Sequence, residues 1–138
     1  MDFTYQMSIS PEDYNRLREA VGWERLVPEQ AAAGLAHSAL VLGCYDQGSA
    51  VGTARIIWDR GGVACLSDVM VLPQYQGQGI GRELVQRAVA YLRSQLKQGW
   101  KIKLILVAAK GRESFYESLG FVARPNQRSG AGMELWLS

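Results

Sequence analysis

The residues Gln76-Gly77-Gln78-Gly79-Ile80-Gly81 have the composition of an anion-binding loop. They follow an apolar, strand-like run, Val69-Met70-Val71-Leu72, and lead into an amphipathic stretch of helical period. A strand that turns through glycines into a helix leaves several backbone N–H groups free at the helix N-terminus. The unpaired donors and the positive end of the helix dipole then point the same way, toward a phosphate or pyrophosphate. Side chains at 77, 79 and 81 would hinder close approach, and glycine removes them. The plain alternative is a tight connection that uses glycine for geometry alone, but three glycines exceed what one turn needs. Arg82 either adds charge to the loop or is an ordinary solvated helix residue. No Gly-Lys-Ser/Thr follows, which argues against a P-loop hydrolase. No β-α-β unit precedes the loop in the N-terminal half, which argues against a dinucleotide-binding dehydrogenase.

Other reactive side chains are few. Asp68 lies inside an apolar run, sharing a strand face with Leu66 and Met70. A carboxylate there must be paired or protonated. It serves either as a proton acceptor, directly or through water, or as a brace that accepts backbone N–H groups. Ser67 points to the other face unless a bulge intervenes, and could hold a water. His37 is the lone histidine and closes an alanine-rich helix, a terminal or packing position. Cys44 and Cys65 fit no metal spacing and read as buried free thiols. A Cys44–His37 nucleophile pair lacks a third, orienting group.

The elements that position these residues can be traced along the chain. Phe3 to Ser8 reads as a first strand. Ser10-Pro11-Glu12-Asp13 is a helix start with a serine cap and proline at the first helical position. That helix runs to Ala20, with Tyr14, Leu17 and Val21 inward, and Gly22 breaks it. Glu29 to Ser38 forms a second short helix. Ala39–Tyr45, Ala50–Trp58 and Val63–Leu72 form an antiparallel meander joined by glycine turns. Ile80, Leu84, Ala88, Leu92 and Leu96 recur every four residues and predict a long helix from Gly79 to Gln98. Ile102 to Ala108 is continuously apolar and predicts a strand covered on both faces. Arg112 to Leu119 forms a last helix, and Phe121–Arg124 and Met133–Leu137 two further strands. Asn126 to Gly132 between them is a polar, glycine-rich loop flanked by Arg124 and Arg128. The tryptophans, Trp23, Trp58, Trp100 and Trp136, are read mainly as core or edge residues. The order predicts an α/β fold with one mixed, mostly antiparallel central sheet flanked by helices, in a single domain over residues 1–138.

At 138 residues and 48% hydrophobic, the chain can bury a real core. Its formal net charge of +2 is too small for a dedicated nucleic-acid binder. No apolar run is long enough to span a bilayer, and Met1-Asp2-Phe3-Thr4 does not open a signal sequence. The expected location is therefore cytoplasmic, with neither nucleic acid nor membrane as partner and no metal.

Two motifs together resemble the GNAT superfamily of acyl-CoA-dependent N-acyltransferases. That family's cofactor loop reads Arg/Gln-x-x-Gly-x-Gly/Ala, and Gln76-x-x-Gly79-x-Gly81 matches it. The family's Phe-Tyr-x-x-x-Gly-Phe matches Phe115-Tyr116-Glu117-Ser118-Leu119-Gly120-Phe121. Both stand in the family's order with a strand between them, and the element order matches over nearly the whole chain. The stretch from Asp68 to Gly79 is also similar to the aminosugar branch and its small bacterial relatives. Three positions depart from the pattern. Ala109 and Arg112 stand where the family often has Asn-x-x-Ala, and Ser67 stands where the aminosugar enzymes carry a glutamate.

The resemblance implies a transfer of an acetyl group from acetyl-CoA to an amine by direct attack. It implies cofactor contacts from Val69, Met70 and Val71 to the pantetheine arm. The backbone N–H of Met70 or a neighbour would polarise the thioester carbonyl. The pyrophosphate would fall to Gln76, Gly77, Gln78, Gly79, Gly81 and Arg82. Tyr116 matches the tyrosine that protonates the departing thiolate, with Phe115 packed beside it. A phenol, with a pKa of about 10, can deliver that proton at neutral pH without being ionised. Asp68, a water held by Ser67, Glu24 or Glu29 are the candidates for the base. Trp23 lies near the implied acceptor pocket. The acceptor is read as a small-molecule amine. A peptide or protein amine is the rival within enzymes, and a CoA-binding sensor without turnover is the rival outside them. Many relatives pair, and a homodimer through the C-terminal strand is a further expectation.

Overall fold

The computed structural model describes residues 2–138. Two compact units separate along the chain, one ending at Leu106 and the other comprising Val107–Ser138. Each is described by itself.

The first unit is a five-stranded sheet in sequential order, β1 to β5, with helices on both faces. The strands are β1 (Thr4–Gln6), β2 (Leu40–Asp46), β3 (Ser49–Trp58), β4 (Val63–Val71) and β5 (Lys103–Ile105). The helices are α1 (Pro11–Ala20), α2 (Pro28–His37) and α3 (Ile80–Gln95). β1 to β4 are antiparallel, and β5 joins β4 in parallel, so the sheet is mixed as expected.

Local sequence explains the helix starts. Ser10 Oγ accepts from Asp13 N at 3.0 Å and closes the first turn of α1. Tyr14 and Leu17 are buried, as their spacing requires. Asn15 is buried too, and its amide replaces missing backbone partners. Nδ2 donates to Leu26 O at 2.8 Å and Oδ1 accepts from Leu26 N at 2.9 Å. That double bond fixes the path of the α1–α2 link. In α3 the buried stripe is Ile80, Leu84, Val85, Ala88 and Leu92. Burying each large aliphatic side chain contributes about 1.5–3 kcal/mol.

Face assignments follow from the ladder. A Cβ at Gly52 of β3 would lie 3.0 Å from Ile80 Cγ2 and 3.4 Å from Leu84 Cδ1, so α3 covers that face. Arg55 alternates to the opposite face, where α1 lies. Across the β3–β4 pair, Thr53 opposes Met70 but Arg55 opposes Ser67. One residue of β3 therefore spans two of β4, a β-bulge at Asp68, whose φ is +55°. The extra residue reverses the alternation. Leu66, opposite Ile56, faces α3, whereas Met70, opposite Thr53, faces α1. The expectation that Asp68, Leu66 and Met70 share one face assumed a regular strand, and the bulge corrects it.

Other expectations shift at the ends of the chain. β5 covers only Lys103–Ile105 and is an edge strand, with Ile105 and Val107 exposed. The predicted two-sided burial of 102–108 is not found. Continuous apolarity fits an interior strand and an edge strand alike, and periodicity cannot separate the two. Trp23, Trp100 and Trp136 are exposed rather than core. Cys44 is buried but Cys65 is only half-buried, and both thiols are free.

The second unit holds one short helix, α4 (Glu113–Glu117), among its described residues. Phe121–Arg124 and Met133–Leu137 are not strands. Local bonds organise the segment between them. Asn126 Oδ1 accepts from Arg128 N and Ser129 N, and Arg124 Nε donates to Gly130 O. These side chain–backbone bonds offer the chain an alternative to a ladder.

Candidate active site

The mouth of α3 is made of backbone. β4 ends at Val71, a 3-10 turn covers Pro73–Tyr75, and the chain passes through Gly77 (φ +80°) and Gly79 (φ +86°) into the helix. Those two angles favour glycine. A Cβ at either position would meet nothing within 4 Å, so the space in front of the loop is open. Gly79 is the N-cap, and no side chain caps the helix. Backbone bonding starts at Glu83 N→Gly79 O. Among the described residues, the N–H groups from Gly77 to Arg82 are left without partners in front of the helix dipole.

Two side chains brace this loop. Tyr75 donates to Asp46 Oδ2 at 2.6 Å and packs edge-on against Phe3. Gln76 Nε2 donates to Val71 O at 3.0 Å. The Gln76 amide, expected to reach out to a phosphate, is thus turned inward to the strand end. Gln78 and Arg82 are exposed, and Gly81 lies in the first turn of α3.

β4 offers a second backbone surface. Its pairing with β5 runs from Val63–Lys103 to Cys65–Ile105 and stops. From Leu66 onward β4 has only β3 as a strand neighbour among the described residues. Val69, Met70 and Val71 lie in this stretch, with Met70 buried and the two valines half-buried.

On the α1 face, side chains do the work. Asp68 Oδ2 accepts from Tyr14 Oη and from Arg55 Nε, both at 2.6 Å. Arg55 also donates to Ser38 Oγ at 3.1 Å, tying the cluster to the end of α2. Burial opposes the charge of Arg55, yet its bond to Asp68, the Asp68 charge and Tyr14 together outweigh this and raise its pKa. Burial, then the bond to Asp68, raises the Tyr14 hydroxyl above its ordinary 10.0. Arg18 Nη1 stands 4.0 Å from Asp68 Oδ1, and its guanidinium lies over the rings of Tyr14 and Trp23. The structure thus gives Asp68 side-chain partners, rather than the backbone N–H groups expected of a brace.

Sequence reading placed Tyr14 inward but missed Arg18, Arg55 and Tyr75 as members of these sites. One signal was available for Arg55. It is a lone charge in an apolar strand, and its neighbour in the meander carries the lone charge Asp68. Ser67 Oγ lies 3.5 Å from Cys65 Sγ. Glu24 and Glu29 are exposed. His37 ends α2, its Nδ1 near Ala33 O at 2.9 Å. Among the described residues no group of three or more His, Cys, Asp or Glu side chains gathers to hold a metal, and no helix is long and apolar enough to cross a membrane.

In the second unit Tyr116 lies on α4 between two aromatic neighbours, with ring centroids 5.0 Å from Phe115 and 5.9 Å from Phe121. Burial raises its hydroxyl above the ordinary 10.0, only partly countered by Arg112. It therefore stays protonated at neutral pH.

Comparison with known proteins agrees with this geometry. The family model for an acetyltransferase (GNAT) domain matches residues 37–123. Histone acetyltransferase TAP1 of Glycine max is 32% identical, over 82% of this chain and 52% of that protein. Serotonin N-acetyltransferase 2 of Oryza sativa, a chloroplastic protein, is 33% identical over 90% of this chain and 64% of its own length. The chain spans between half and two thirds of these two plant proteins. The structure of a probable acetyltransferase from meticillin-resistant Staphylococcus aureus superimposes with a TM-score of 0.84 and 28% identity, covering 99% of this chain and 98% of that one. The glycine mouth, the partly unpaired β4 and the matched region place this chain in the GNAT acetyltransferase family, as an acyltransferase.

Proposed function

We propose that this protein moves an acetyl group from acetyl-CoA to a primary amine of a small molecule by direct attack. The observation that carries the reading is the uncapped, amide-rich start of α3 beside the open stretch of β4. The residues fit the cosubstrate. N–H groups from Gly77 to Arg82 suit a pyrophosphate. From Leu66 onward β4 has no pairing with β5, and an amide-bearing arm would pair along that backbone. Acetyl-CoA supplies the activated thioester when bound.

The chain's own groups then have separate tasks. The N–H of Met70 or a neighbour donates to the carbonyl oxygen as charge develops there. Tyr116, which burial keeps protonated at neutral pH, is the group proposed to hold a proton for the departing sulfur. Asp68 Oδ1, which accepts no hydrogen bond within the protein, receives the proton that the amine gives up. The Asp68 cluster, its charged side chains only 15–18% exposed, is where the acceptor's amine would be met. The name of the soybean relative keeps a second reading in view, a lysine or N-terminal amine on a protein.

The test is a titration with acetyl-CoA in low salt, followed by free-thiol release with panels of small amines and of peptides. Acetyl-CoA binding and turnover with small amines are expected. Turnover with peptides alone would favour the second reading. Binding without turnover of any amine would leave a sensor. Tyr116→Phe is expected to lower kcat by about 10²–10⁴-fold while acetyl-CoA binding persists.

A further inference from the structure

The cluster on the α1 face is unbalanced in charge. Two guanidiniums, Arg18 and Arg55, meet one carboxylate, Asp68, and all three side chains are only 15–18% exposed. Arg55 is well bonded, to Asp68 and Ser38. Arg18 is not. Its Nε donates to Glu24 O at 2.7 Å and its Nη1 makes a long contact of 3.5 Å to Tyr14 Oη. Its approach to Asp68, at 4.0 Å, is too long for a hydrogen bond. The rings of Tyr14 and Trp23, at 5.8 and 5.5 Å, steady the cation but accept no hydrogen bond in the guanidinium plane.

No enclosed side-chain N or O atom lacks a partner among the described residues. The free edge of Arg18 and Asp68 Oδ1 therefore both reach solvent. A guanidinium steadied by two nearby rings, with an open edge, is suited to a planar or tetrahedral anion. Beside it, 4.0 Å away, stands the carboxylate oxygen assigned above to the acceptor's amine.

From this juxtaposition we propose that Arg18 is a specificity residue for an acceptor that carries an anionic group, a carboxylate or phosphate, close to its amine. The inference rests on the acetyl-transfer reading for what happens to the amine, but its anion site is testable alone. Arg18 takes the anion, Trp23 covers it, and Asp68 Oδ1 faces the amine. One net positive charge in the cluster becomes neutral when a monoanion arrives.

Two measurements test it. The first titrates inorganic phosphate and N-acetylglycine into the intact protein, following tryptophan fluorescence and heat, in wild type, Arg18→Gln and Arg18→Lys. Wild type is expected to bind at least one of them, Arg18→Lys more weakly, and Arg18→Gln at least tenfold more weakly. The second compares turnover of matched amines, an amino acid against its decarboxylated counterpart and an amino sugar against its phosphate ester. The anionic member of a pair is expected to be favoured in kcat/KM, and Arg18→Gln to erase the preference through KM. Thermal melting checks that the variants fold. If Arg18→Gln does not, the comparison with Arg18→Lys carries the test. Absence of anion binding in wild type, equal binding by the variants, or preference for the uncharged amine would overturn the proposal. Anion binding that persists beside a failure to bind acetyl-CoA would support the site while refuting the acetyl-transfer reading.

Discussion

The mouth of α3 and the cluster around Asp68 are served by one strand, yet they recognise by opposite means. The mouth uses peptide N–H groups, with glycine at 77, 79 and 81 and the Gln76 amide folded back onto Val71 O. The cluster uses side chains drawn from α1, the link after it, β3 and β4. The mouth's donors are open because helix geometry leaves them so. In the cluster, Asp68 is held by Arg55 and Tyr14, at bonds of 2.6 Å. Backbone recognition tolerates change in neighbouring side chains but not in φ. Side-chain recognition tolerates the reverse.

That contrast predicts variants that damage one region and spare the other. The largest effect on stability is expected from Asp68→Ala. It strands Arg55, whose side chain is 18% exposed, without its carboxylate. Breaking a buried pair in this way costs about 3 kcal/mol, read from the urea midpoint, while acetyl-CoA affinity of the folded fraction changes little. If affinity fell as far as stability, the two regions would be one coupled unit. Next comes Gly79→Val. A β-branched residue at φ +86° stores about 1–3 kcal/mol of strain. The loop is expected to relax from its shape and acetyl-CoA affinity to fall about ten- to a hundredfold by calorimetry. An unchanged affinity would remove the backbone from the account.

The smallest effect is expected in alkali. The folded pKa of Tyr14 lies above the unfolded value of 10.0. Its contribution is therefore complete below about pH 10 and is lost as the pH rises through the folded value. Stability should decline there in wild type and more gently in Tyr14→Phe. Parallel declines in the two proteins would mean that the Tyr14–Asp68 bond contributes nothing.

The same contrast decides what a reader of the sequence can see. The mouth is legible because glycines at 77, 79 and 81 sit within a few residues of each other, between a strand and a helix. The meander and α1 are legible because serine caps, glycine turns and apolar periods are local. The cluster is not local. Tyr14, Arg18, Arg55 and Asp68 meet only after the ladder is in register, and that register depends on a bulge that no period announces. The C-terminal runs, Phe121–Arg124 and Met133–Leu137, show the opposite failure. Their apolar composition suits a strand, but strand state requires a partner that composition does not name.

Gly52 sits beneath the very first residue of α3. A Cβ at that point would press on the Ile80 side chain at 3.0 Å, directly under the helix start that carries the open amides from Gly77 to Arg82. The seat of the anion-binding end is thus set by the strand beneath it, at a residue with no chemistry of its own.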